Sequence, residues 1–184
     1  MIILTDLLKS PFDEGAKITT FNLLSELELN SSNVVFSING NMPTNVSRSY
    51  DFKCNKLLLN QNLYQEIFKN SSSIVLYIPE SSLTVLTLVR AKLIEFFTSK
   101  KVVILSLQPR RYDIFKTFII KVLQPDSVIT LSKSHARYLK KVGIKNYVIP
   151  LGVNNNLYWP YSVEQKKTSE KNIHYVTTNL YSCT

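Results

Sequence analysis

The sequence predicts an α/β protein, a Rossmann-like three-layer α/β/α domain on a mainly parallel sheet. Three observations predict it. Apolar runs of strand length alternate with helix-length segments, the pattern of a parallel sheet covered by helices. At 184 residues the chain is long enough for one substantial core and too short for two full α/β domains. Hydrophobic residues make up 45% and charged residues 19%, the balance of a folded globular protein.

The elements follow in order. Met1 to Thr5 reads as a buried first strand. Gly15 to Leu29 reads as a helix with Ile18, Phe21, Leu24 and Leu27 as its apolar stripe, and Asp13 suits its N-cap. Asn33 to Ile38 is the second strand, and Asn39-Gly40-Asn41-Met42-Pro43 is a turn cluster. Val46 to Lys53 has room for one or two short strands. Leu57 to Lys69 reads as a helix through Leu59, Leu63 and Ile67. Ile74 to Ile78 is a strand ending at Pro79, and Leu83 to Thr98 is a largely apolar helix that packs on the sheet. Lys101 to Leu105 is a central strand, with a short helix from about Arg111 to Leu123. Ser127 to Leu131 is a strand. Ser132 opens a basic helix that Gly143 ends, and Tyr147 to Ile149 is the next short strand. Asn154 to Lys171 is polar and aperiodic, a linker. Asn172 to Thr177 reads as one more strand.

Several function classes are excluded early. With four glycines the chain has neither G-x-G-x-x-G nor G-x-x-x-x-G-K-[ST]. Cys54 and Cys183 are isolated and lack metal-ligand spacing to His135 or His174, so no metal or cofactor is expected, and a reducing compartment suits them. No uncharged run reaches the roughly 18–20 residues that cross a bilayer. The start, which reaches Asp6 after five residues, is no secretory leader. A cytoplasmic, peripherally membrane-associated protein is therefore expected. The net charge of +9 predicts an anionic partner: a phospholipid surface, a lipid diphosphate, a sugar nucleotide or nucleic acid.

The run Ser127 to Asn154, SVITLSKSHARYLKKVGIKNYVIPLGVN, is the most specific stretch. Its strand-Ser-helix-Gly-strand unit leading into Pro150-Leu-Gly-Val-Asn resembles the end of the N-terminal domain of GT-B retaining glycosyltransferases of the group 1 class. The resemblance implies a glycosyltransferase in which residues 1–153 form the acceptor-side domain. Residues 154–171 are then the linker, and 172–184 the first strand of a nucleotide-sugar domain lying outside this sequence. Such a chain is expected to be inactive alone. Sugar or lipid-linked acceptors and a nucleotide-sugar donor are the implied partners.

In an open α/β sheet, ligands bind at the carboxyl ends of the strands, and four loops meet that condition. In the first, Asp6 to Lys17, the resemblance implies that Gly15, Ala16 and Lys17 approach acceptor or donor phosphate at a helix start. In the second, Pro79-Glu-Ser-Ser82, Glu80 suits sugar hydroxyls or, equally, the positive start of the following helix. The third is Ser106-Leu-Gln-Pro-Arg-Arg-Tyr112. Many members of the family carry a histidine there; here Ser106 and Gln108 stand nearest, and the adjacent Arg110 and Arg111 offer planar forks for phosphate or carboxylate. The fourth is Leu131 to His135, where Ser132 and Lys133 sit at a helix start that can take an anion or simply be capped. Arg137, Lys140, Lys141 and Lys145 extend this segment into a membrane or anion patch. Neither histidine is assigned a role. The alternative reading is a stand-alone basic Rossmann-like module that binds an anionic membrane or nucleic acid.

Overall fold

The computed structural model describes residues 1–9, 11, 14–30, 33–40 and 48–150. In chain order they form β1 (Ile2–Thr5), α1 (Gly15–Asn30), β2 (Val34–Ile38), β3 (Ser49–Phe52), α2 (Gln61–Lys69) and β4 (Ile74–Ile78). Then come α3 (Val85–Thr98), β5 (Lys101–Ser106), α4 (Ile114–Val122), β6 (Ser127–Thr130), α5 (Lys133–Val142) and β7 (Asn146–Val148). The expected linker and final strand, Asn154–Lys171 and Asn172–Thr177, lie outside the described residues, as does the expected cap Asp13.

All the strands pair in parallel, in the order β3-β2-β1-β4-β5-β6-β7. The chain winds outward from β1 to β2 and β3, returns to β4 on the far side of β1, and winds outward again. The direction therefore reverses between β1 and β4, which makes that gap the switch point of the sheet.

Strand side chains alternate between the two faces. Ile2 and Leu4 of β1 join Val75 and Tyr77 of β4 and Val102 and Ile104 of β5 under α2, α3 and α5. Ile3 joins Val35, Leu76 and Ile78 on the opposite face, against Leu24 of α1. Each such fully buried aliphatic side chain contributes about 1.5–3 kcal/mol. Among the described residues α1 is the one helix on its face.

Side-chain caps set four helix starts. Asn60, Thr84, Asp113 and Ser132 each accept a hydrogen bond from the backbone N–H three residues on, a contact worth about 1 kcal/mol. These caps shorten three expected helices. The helix expected from Leu57 begins at Gln61, because the Asn55 carboxamide oxygen accepts the N–H of both Leu57 and Leu59 and folds a turn there. Leu58, at φ 61°, is buried in that turn while Leu59 is 47% exposed. The helices expected from Leu83 and Arg111 begin at Val85 and Ile114, after their caps. Ile18, expected in the α1 stripe, is exposed. The described part of Val46–Lys53 holds one strand, β3.

Two glycines are required, one for its conformation and one for lack of space. Gly143 ends α5 at φ 87° and returns its N–H to the last turn. Gly40 lies so close to the Ser37 hydroxyl and the Leu8 carbonyl that an added Cβ would collide with both.

Candidate functional site

Three of the four loops at the carboxyl edge are joined by hydrogen bonds. Asp6, directly after β1, accepts the backbone N–H of Glu80 after β4 at 2.5 Å. Its second oxygen meets the Arg90 guanidinium at 2.9 Å, and the same Arg90 nitrogen donates to the Tyr77 hydroxyl at 3.1 Å. Arg90 Nε donates to the Lys56 carbonyl at 2.7 Å. One arginine on α3 thus holds β1, β4 and the segment after β3 together at the switch point.

Burial decides the protonation tendencies here. Removal from water pushes the Asp6 carboxyl up, against the lowering effects of the Glu80 N–H and of Arg90. Burial likewise pushes the Tyr77 phenol up, with the neighbouring Asp6 charge adding to it. Tyr77 is therefore a neutral phenol at any physiological pH.

Beside this network lies a hydroxyl cluster. Ser82 is buried and in the left-handed region at φ 57°, a conformation that costs a non-glycine residue about 1–2 kcal/mol. Its surroundings hold it there. Ser82 Oγ lies 2.7 Å from Ser106 Oγ and 2.7 Å from the Gln108 carbonyl oxygen. Its own carbonyl accepts from Thr87 Oγ1 at 2.8 Å. The Tyr112 hydroxyl donates to the Leu83 carbonyl, which fastens the β5–α4 loop to the start of α3. Strained residues of this kind cluster where a fold holds a site in shape.

The sequence-expected residues divide accordingly. Glu80 is exposed, and its carboxylate sits 3.5 Å from Lys9. Gln108 contributes its backbone carbonyl to the hydroxyl cluster and is exposed. Arg110 and Arg111 are exposed beside it. Gly15 and Ala16 open α1, and the space around Gly15 is clear to 4 Å. Lys17, by contrast, is buried and turned to the chain itself, 3.2 Å from the Pro11 carbonyl and 3.3 Å from Glu14. Ser132 caps α5, taking the His135 N–H at 3.3 Å and meeting Ser134 Oγ at 2.8 Å, with Lys133 exposed alongside.

Lys133, Arg137, Lys140 and Lys141 share the solvent face of α5, opposite the buried Ala136, Leu139 and Val142. Lys145 lies elsewhere. It follows the helix stop, has its ammonium 5.9 Å from the Tyr147 ring centroid, and lines a polar hollow with Lys92, Glu95 and Asp126 at the amino ends of the strands.

The sequence reading missed Asp6, Tyr77, Ser82 and Arg90. A charged residue directly after a buried, largely apolar strand was the available signal for Asp6. His135 is buried, its Nε2 has no partner among the described residues, and burial pulls its pKa down. Among the described residues no group of His, Cys, Asp or Glu is arranged to hold a metal ion, and no helix is long and apolar enough to cross a membrane.

The sequence matches no protein-family profile. No curated protein matches it either. In three dimensions the chain is similar to the crystal structure of Anabaena HepE in complex with UDP-glucose, with a TM-score of 0.57 at 15% sequence identity. The likeness covers 93% of this chain and 49% of HepE, so the chain spans about half the length of that protein. At this identity the likeness speaks for the fold: a Rossmann-like parallel α/β domain of the kind also expected from the sequence.

Proposed function

We propose that this chain is the acceptor-side domain of a GT-B retaining glycosyltransferase, which works with a second Rossmann-like unit that holds a nucleotide sugar. The observation that supports this reading is the likeness of nearly the whole chain to half of a protein captured with UDP-glucose. The reversal between β1 and β4 lies where open parallel sheets of this kind bind their ligands.

In such a transfer an acceptor hydroxyl replaces the nucleoside diphosphate at the sugar's anomeric carbon. The catalyst must stabilise an electron-deficient sugar and a departing diphosphate. On this chain Glu80 and Gln108 are the groups proposed for acceptor hydroxyls. Arg110, Arg111 and Lys133 are proposed for phosphate, either on the diphosphate or on a lipid-linked acceptor. The Asp6–Arg90 and Ser82–Ser106 clusters keep the loops that carry Glu80, Gln108, Arg110 and Arg111 in register.

The test uses the protein isolated from its source cells with the polypeptides that co-purify. It is incubated with radiolabelled sugar nucleotides and a lipid extract. The expected result is label in the lipid or oligosaccharide fraction, and at least a tenfold lower kcat/KM for the Arg110→Ala/Arg111→Ala variant. If no donor yields transferred label while the protein binds DNA or RNA in a salt-sensitive manner, the reading is overturned in favour of a nucleic-acid module.

A further inference from the structure

We propose that α4 is a membrane-docking helix that seats its outer face in the interfacial zone of an anionic lipid bilayer. The proposal stands on the surface of the described residues and does not depend on the transferase reading.

The first observation is apolar exposure. Ile114, Phe115, Phe118 and Val122 are 92%, 73%, 65% and 64% exposed. At about 100° per residue these positions fall within roughly a quarter of the helix circumference, one continuous stripe along α4. Ile120 is the buried residue on which the helix rests. A nine-residue helix that turns two phenylalanines and an isoleucine to solvent reverses the usual amphipathic arrangement. On α3, Phe96 is also exposed, at 79%, but it packs on Phe97, which meets Tyr64 of α2, so it is not part of the α4 stripe.

The second observation is charge. The α4 sequence IFKTFIIKV contains two lysines and no acid. Asp113, its cap, is neutralised by Lys116 at 2.9 Å. Lys121 is exposed on the helix, and Arg110 and Arg111 are exposed just before it. Tyr138 of α5 connects this region to the basic face of α5: its hydroxyl accepts the Tyr112 N–H at 3.3 Å and lies 3.5 Å from Thr117 Oγ1. Lys121, three residues on from Phe118, therefore lies beside the stripe.

These features favour lipid over a protein partner. The stripe runs about 14 Å, the length of nine helical residues at 1.5 Å each. A specific protein interface buries roughly 800 Å² on each partner, whereas this stripe is four side chains of one nine-residue helix. Interfacial helices need only an apolar face that sinks about 5–10 Å into the headgroup boundary and cations that attract anionic lipid. Two weak signals acting together, apolar and basic, give binding that is reversible and sensitive to salt.

The experiment is flotation of the full chain with vesicles of phosphatidylcholine alone and with one-third phosphatidylglycerol. The expected result is flotation with the anionic vesicles only and a large loss of binding in 0.5 M salt. The Phe115→Ser/Phe118→Ser variant is expected to lower partitioning at least tenfold, as is Lys116→Glu/Lys121→Glu. These side chains are exposed, so the fold is expected to survive, as circular dichroism will show. Ile114→Asp is the backup variant should the serine pair unfold. The proposal is overturned if the chain stays in the vesicle-free fraction, or if the serine variant partitions like the parent. It is overturned as well if light scattering finds a dimer that the serine variant dissolves, because the stripe is then already covered by protein.

Discussion

Arg90 is the residue on which the switch point depends. Its side chain and that of Asp6 are almost wholly removed from water, and its guanidinium also meets the Tyr77 hydroxyl. Arg90→Met would leave a buried carboxylate without its countercharge, so a loss of about 3–5 kcal/mol is expected in urea unfolding. The Asp6→Asn/Arg90→Met double variant is expected to lose less than the two single losses combined, because the charge is then removed together with its partner. His135 supplies a second test at this scale. Its folded pKa lies below the unfolded value of about 6.5, because burial disfavours the imidazolium. The unfolded chain therefore binds the proton first. The stability that His135 contributes is full above pH 6.5 and is lost as the pH falls below it. Asp6, raised by burial, acts in the opposite sense. The informative quantity is therefore the difference between the parent and His135→Gln, in which Asp6 cancels. Unfolding at a series of pH values between 7.5 and 5 is expected to show the parent falling relative to the variant.

Among the elements, one substitution at two glycines is expected to have opposite signs. Gly143→Ala forces a side chain into the left-handed region at the end of α5 and should cost about 1–2 kcal/mol. Gly15→Ala meets nothing within 4 Å and adds a better helix former to α1, so a gain of about 0.4–1 kcal/mol is expected. Thermal unfolding of both variants checks the contrast. The elements themselves were largely legible in the sequence. Strand-length apolar runs such as Ile74–Ile78 can be buried on both faces only in a covered sheet, and Ser132 with Gly143 brackets α5 in the residue types a cap and a stop require. The helix starts were less legible. Asn55, Thr84 and Asp113 act through a side chain that bonds backbone a few residues on, and apolar periodicity does not register such local competition. The site was legible only as a set of loops. Asp6 and Arg90 are 84 residues apart, and nothing local to either announces the pairing. Nor does any pattern reveal that Ser82 takes a positive φ, since serine is no glycine and the strain is set by tertiary bonds to Ser106 and Gln108.

At the scale of the molecule, the sheet order places β1 between β2 and β4. The first pairing is with a strand close in sequence. The second joins β1 to β4 across 73 residues, as the Thr5 hydroxyl bonded to the Ile78 carbonyl records. Both faces of β1 are apolar, with Ile2 and Leu4 on one and Ile3 on the other, all wholly buried in the finished sheet. On a ribosome adding about 5–20 residues per second, β4 is made on the order of 4–15 s after β1. For that interval one edge of an apolar strand has no native neighbour, and such an edge is a template for any other strand. The topology that creates the switch point therefore also imposes a waiting period during synthesis, and the yield of folded protein is set partly by what shields Ile2–Thr5 until Ile74–Ile78 emerges.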